Sequence, residues 1–184
     1  MGSAAWSRSH WTARLIWVIL LSPRPSWRTV SPRGPVISRH RISRRVPMIA
    51  YGQSKTANVL LAVEAGRRWA GDGITANAVH PGAILETGLS RHMPARLLGN
   101  VRATTKQEFK TIGQGAATSV VVATAPALSG VTGRYFEDCQ ESETIPPGTP
   151  DIPGHARGVA WYALYPGYAE ELWEVSEKPT AVGS

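Results

Sequence analysis

From Ala50 onward the chain alternates between a helical and a strand-like texture, and that alternation limits most what it can fold into. Over residues 50–70, Val59, Leu60 and Val63 share one helical face, which the methyl of Thr56 extends. Gly71 and Gly73 bracket the end of that helix, as C-terminal stop signals do. Residues 74–79 then read as a short buried strand running into His80, Pro81 and Gly82. Thr111 and Gln114 have the spacing of a capping box and predict a helix from there to about Ala123. Gly115, Ala116 and Ala117 in that helix are small enough for close packing on a sheet. Residues 133–136 read as another strand. Ala169, Leu172, Trp173 and Ser176 outline a last amphipathic helix. Residues 85–103 are irregular, with a helical piece predicted around 91–98, and the Pro- and Gly-rich stretch 140–155 is expected to be loop. Helix, strand, helix, strand with short links is half of a doubly wound sheet. The expected fold class is therefore α/β, a partial doubly wound (Rossmann-type) parallel sheet. Its strands are parallel because helices join them.

Residues 1–48 have a different composition. They hold four of the seven Trp, eight Ser and five Pro, and the first fifty residues carry nine Arg with no Asp, Glu or Lys. The remainder has eleven basic and thirteen acidic residues, so the net charge of +7 belongs wholly to the first quarter. LIWVILL at 15–21 is its one sustained apolar run, and Pro23, Pro25, Pro32 and Pro35 interrupt regular structure after it. Three readings compete. An Arg-rich disordered tail would touch nucleic acid or anionic lipid weakly and in a salt-dependent way, but Trp is unusual in solvated tails. A targeting segment would need a longer apolar core and a small-residue cleavage site. The third reading is a mis-set start or shifted frame upstream of Ala50, because Arg, Ser, Pro and Trp enrichment is what a wrong frame of GC-rich coding DNA gives. The composition favours the third. It predicts an irregular or non-native segment at 1–48 and the C-terminal half of a domain at 49–184.

Tyr51 and Lys55 stand one helical turn apart, on one face, close enough to interact. An ammonium beside a phenol favours the phenolate and lowers the Tyr pKa from its reference of about 10. A Tyr tuned in this way can exchange a proton with a carbonyl or alcohol oxygen near neutral pH. The same Lys can donate to the sugar hydroxyls of a nucleotide. The spacing alone is a weak signal, because an ordinary solvated helix face satisfies it too. Ser54 faces another side of the helix and reads as packing. The single Cys139 cannot form an internal disulfide, which fits a reducing, cytoplasmic setting. Five His and one Cys lack metal-ligand spacing, so no metal is expected. No run is long and apolar enough to predict a membrane span.

Five stretches, in order and at matching intervals, carry a family resemblance: AYGQSKTANVL (50–60), GITANAVHPGAI (73–84), KTIGQGAATSVVVAT (110–124), GVTGRYFEDC (130–139) and AEELWEVSE (169–177). Residues 50 to about 178 resemble the C-terminal half of a short-chain dehydrogenase/reductase, of the retinol-dehydrogenase-like and WW-domain-oxidoreductase-like branch. The resemblance implies hydride transfer between NADP or NAD and a lipophilic alcohol or carbonyl. It implies Tyr51 as acid/base and Lys55 as its tuner and a contact of the nicotinamide ribose. It also implies that backbone after Pro81 and Gly82, at Ile84, meets the nicotinamide carboxamide. Thr87, one residue later than usual, is the candidate for the diphosphate. The family's catalytic Ser is not assigned: Ser38 and Ser26 match only by spacing, and neither follows an apolar strand.

The glycine fingerprint that holds a dinucleotide pyrophosphate does not occur. Gly113 and Gly115 imitate its start, but no strand precedes them and Thr118 holds the third glycine position. The resemblance thus implies a chain short for a full family member and weakly active or inactive. As a non-enzymatic alternative, a half-sheet could pair through exposed surfaces with a complementary half or with itself. Nucleic-acid binding through the Arg-rich segment is the least favoured partner. Leu89, Met93, Leu97, Trp161 and Tyr162 are expected to give a substrate pocket its apolar character.

Overall fold

The computed structural model describes residues 14–18, 47–84, 109–149 and 158–178, with 14–18 and 47–51 described by backbone alone. Strand β1 (Arg14–Val18) leads to helix α1 (Pro47–Trp69) and strand β2 (Thr75–His80). Helix α2 (Ile112–Thr124) precedes strand β3 (Tyr135–Glu137) and strand β4 (Gln140–Glu141). Strand β5 (Thr144–Ile145), strand β6 (Val159–Ala160) and helix α3 (Pro166–Glu177) complete the described order. The main sheet runs β1-β2-β3-β4, parallel except for the β3-β4 hairpin. β5 and β6 form a separate parallel pair. Sequence and structure agree on a partial Rossmann-type sheet. β1 falls at the start of the apolar run 15–21 and pairs in register with β2, Leu15 opposite Ala76 and Val18 opposite Val79.

All six residues of β2 are buried, so the strand is covered on both faces. Successive side chains point to opposite faces of a strand, and the core divides accordingly. Ala78 and Tyr135 pack with Val59, Ala62, Val159 and Ala163 on the α1 face. Val79 and Phe136 pack with Val122 of α2 on the other. The order is helix, sheet, helix. Thr111 caps α2 as expected: its hydroxyl accepts from the Gln114 amide (3.3 Å), and the Gln114 side chain accepts from the Thr111 amide (2.9 Å).

The apolar face of α1 is wider than the Val59-Leu60-Val63 stripe. Ala62 and Ala65 are buried while Val63 is only half-buried. The cause is close approach. A β-carbon on Gly66 would meet Thr132 Oγ1, the Gly133 amide nitrogen at 2.9 Å and the Ala76 carbonyl at 3.3 Å, so this end of α1 lies almost on the backbone of the sheet. The helix stop also follows expectation: Gly73 sits at φ 72° and donates its amide to Ala70 O.

Two parts of the C-terminal third depart from the expected loop at 140–155. β4 is the return arm of a two-residue turn on Asp138 and Cys139, both in left-handed conformation (φ 49° and 63°). That is the turn that matches strand twist in hairpins, normally made by Asn-Gly or Asp-Gly. β5 pairs with β6 because the buried Glu137 carboxylate accepts from both sides of that junction: Ser142 Oγ and the Gly158 amide, each at 2.7 Å. Ser54 is exposed rather than packed.

Helix α3 lies on α1. Trp69 and Trp173 meet edge to face at 5.8 Å between centroids, and the Arg68 guanidinium stands 4.9 Å from the Trp173 ring. Beneath them Glu64 has no exposed surface and is held by Arg67 (2.6 and 2.9 Å) and Arg68 (2.6 Å). The Arg67 hydrogen bonds, opposed by burial and aided by Arg68, hold the Glu64 carboxyl below the ordinary glutamate value. A folded-state pKa below the unfolded one contributes stability that is complete above about pH 4.3 and fades as pH falls through the folded value. Glu64→Gln is therefore expected to cost about 1–3 kcal/mol at neutral pH. It should also flatten the fall of the melting temperature on acidification below pH 5. Melting curves between pH 3 and 7 check both; parallel curves for the two proteins would refute the role given to this carboxylate.

Candidate active site at the carboxyl ends of the strands

Open parallel sheets bind ligands beyond the carboxyl ends of their strands. α1 runs back along the sheet: Gly66, near its end, touches Ala76 at the start of β2, and Val59 clusters with Ala78 further on. Eleven residues of helix from Gly66 back to Lys55 span about 17 Å, and five residues of strand from Ala76 to Pro81 span about 16 Å. The backbone at Lys55 is therefore level with Pro81, and Tyr51 lies one turn beyond on the same helix. Lys55 is half-buried.

Pro81, Gly82 and Ala83 are buried, and Ile84 half-buried. Gly82 turns the chain at φ 83°, where glycine is unstrained. Two contacts hold this turn. A β-carbon on Gly115 would meet the Ile84 side chain and lie 3.3 Å from Pro81 O, so α2 sits directly against the turn. That is the packing role of Gly115; Ala116 is exposed and Ala117 half-buried. From the other side, the Lys110 amide donates to Ala83 O at 2.8 Å. The Lys110 side chain covers Gly82, and its ammonium pairs with Asp138. The sequence reading missed Lys110 and Asp138. They are 28 residues apart, and nothing in either segment marks them as partners.

Asp138 and Cys139 follow β3 directly, so their turn stands at the same sheet edge. Thr118 of α2, fully buried, accepts the Cys139 amide at 3.1 Å. Two other phenols in the described region are core groups. Burial, with a smaller effect of the Glu137 charge, pushes the Tyr135 hydroxyl far up, and burial raises Tyr162 as well. Both stay protonated at neutral pH. Tyr162 packs against the cluster around Ala78, whereas Trp161 is 36% exposed. Thr87, Ser26, Ser38, the helical piece at 91–98, and Leu89, Met93 and Leu97 lie outside the described residues. Among the described residues no group of three His, Cys, Asp or Glu side chains could hold a metal ion, and no helix is long and apolar enough to cross a membrane.

The geometry brings a Tyr-x-x-x-Lys helix and a Pro-Gly turn to one end of a parallel sheet, and the sequence that forms it is similar to that of known oxidoreductases. A probable oxidoreductase of Streptomyces antibioticus is 52% identical over 137 residues, covering 70% of this chain and 43% of that protein. Human retinol dehydrogenase 14 is 37% identical over 129 residues, covering 69% of this chain and 34% of its own length. The chloroplastic short-chain dehydrogenase TIC 32 B of Brassica napus is 38% identical over 131 residues, 70% of this chain and 36% of that one. No family model matches. Through its C-terminal part, about 70% of its length, the chain belongs to the short-chain dehydrogenase/reductase family. It spans less than half the length of these curated relatives.

Proposed function

We propose that this chain carries the catalytic and nicotinamide-facing half of an NAD(P)-dependent oxidoreductase acting on a lipophilic alcohol or carbonyl. Tyr51 gives a proton to the substrate oxygen, or takes it, as hydride moves between the substrate carbon and the nicotinamide. Lys55 favours the phenolate and donates to the nicotinamide ribose. The backbone at Pro81, Gly82 and Ile84 receives the carboxamide, and Thr87 is the candidate for the diphosphate. The cofactor supplies the hydride chemistry; the protein supplies orientation and proton control. What supports this reading is the buried Pro-Gly turn at the carboxyl end of β2, with which helix and strand rise bring Lys55 about level.

The sequence offers no glycine loop for the pyrophosphate, so the 184-residue chain binds the dinucleotide weakly and turns over slowly. Calorimetric titration of the full chain with NADPH and NADH is expected to show saturation only near millimolar concentrations, about −4 kcal/mol. Lys55→Ala should weaken it further. Micromolar binding would contradict the weak-holding reading, and a Lys55→Ala variant that titrates like the parent would contradict the role of Lys55.

Pairing through the open sheet is the second reading. It is favoured by β1, whose described pairing is to β2 alone. Size-exclusion chromatography separates the two, because a clean monomer that melts cooperatively argues against exposed halves.

A further inference from the structure

We infer that Lys110 is a positioning residue, a clamp that fixes the turn at 81–84 to the tail of β3. The inference rests on the reading of that turn as the nicotinamide contact for its purpose, though not for its existence. Lys110 holds the turn in three ways. Its amide donates to Ala83 O at 2.8 Å. Its methylenes lie over Gly82, where a β-carbon would stand 2.6 Å from Cδ and 2.8 Å from Cε. Its ammonium is paired with Asp138, and both side chains are largely shielded, 23% and 28% exposed.

The other end of the clamp is itself fixed. Asp138 and Cys139 occupy left-handed backbone, which non-glycine residues keep only where their surroundings over-determine it. Thr118 supplies one restraint by accepting the Cys139 amide, and Lys110 supplies another through the Asp138 carboxylate. α2 joins the parts, since Gly115 abuts Pro81 and Ile84 while Thr118 meets Cys139. The turn after β2 and the turn after β3 thus form one rigid rim, with Lys110 as the cross-link. A lysine at the mouth of a nucleotide site would ordinarily suggest a phosphate ligand. Here its charge is matched by Asp138, and its chain lies along the protein.

Hydrogen exchange on the full chain tests the clamp without needing turnover. The Lys110 amide reports whether its bond to Ala83 O is closed. Lys110→Met keeps the methylene cover and removes the ion pair. Asp138→Asn removes it from the other side, and Asn tolerates left-handed backbone. Each variant is expected to speed exchange at residue 110 about five- to tenfold. The Ala78 amide, bonded to Arg134 O inside the sheet, should be unchanged. The double variant should be no faster than either single one, because all three lose the same bond. Unchanged exchange at residue 110, an equal rise at Ala78, or additive effects would each overturn the clamp. NADPH added to the parent chain should slow exchange at residues 83 and 84. No response would count against the cofactor reading while the variant comparison still decides the clamp.

Discussion

Replacing Tyr51 by Phe is expected to lower the rate of hydride transfer by about two to four orders of magnitude, the usual worth of a positioned acid/base. The ring and the helix remain, so cofactor affinity should hardly change. In kinetic terms kcat falls and KM for NADPH stays, the signature of an interaction made in the transition state. Single-turnover reduction of a lipophilic ketone, with protein in excess and nicotinamide absorbance as the signal, reaches slow rates. Equal rates for Tyr51→Phe and the parent would end the assignment of the proton to this phenol.

The largest structural effect is expected at Gly66. An added methyl meets Thr132 Oγ1, which is not free to retreat. It accepts the Ala76 amide at 2.9 Å and donates to Ala76 O at 3.3 Å. The next contact, the Gly133 nitrogen at 2.9 Å, is backbone. Alanine gains about 1 kcal/mol of helix propensity over glycine, but overpacking of this kind costs about 1–3 kcal/mol and sometimes more. The contact with fixed groups should win, and Gly66→Ala is expected to lower the melting temperature by about 4–8 °C. Gly71 is the internal control, since a β-carbon there meets nothing within 4 Å. Gly71→Ala should melt within a degree or so of the parent, on the order of a surface change. A Gly66→Ala protein as stable as the parent would mean that α1 does not sit as close to β2 and β3 as described.

The parts legible in the sequence were those with a period or a stop signal. α1 and β2 carry enough apolar residues in sequence to declare themselves, and the pair Thr111 and Gln114 announces α2 by local hydrogen bonding alone. Tyr51, Lys55, Pro81, Gly82 and Ile84 stand out as candidates because each belongs to a contiguous stretch. What escaped depends on residues far apart. The strands β4, β5 and β6 have two residues each, too few for any alternation to register. The turn between β3 and β4 uses Asp-Cys where a hairpin would normally advertise itself with glycine, and tertiary contacts from Thr118 and Lys110 help to hold it. Glu64 looks like a solvated charge in a one-dimensional reading. It is buried because Arg67 and Arg68, three and four positions on, fold over it. Val63 shares the apolar face by helical spacing but is only half-buried, because the sheet side of α1 accepts alanine and glycine where the backbones approach so closely.

The carboxylate of Glu137 joins pieces of the molecule that the topology keeps separate. One of its oxygens, Oε1, receives a donor from the segment that leaves the main sheet and another from the segment that enters the last helix. The small parallel pair and the described residues after it, through 178, are thereby moored to the same strand whose end forms the rim. Displacement of residues 158–178 would therefore pull on the rim that the turns after β2 and β3 form.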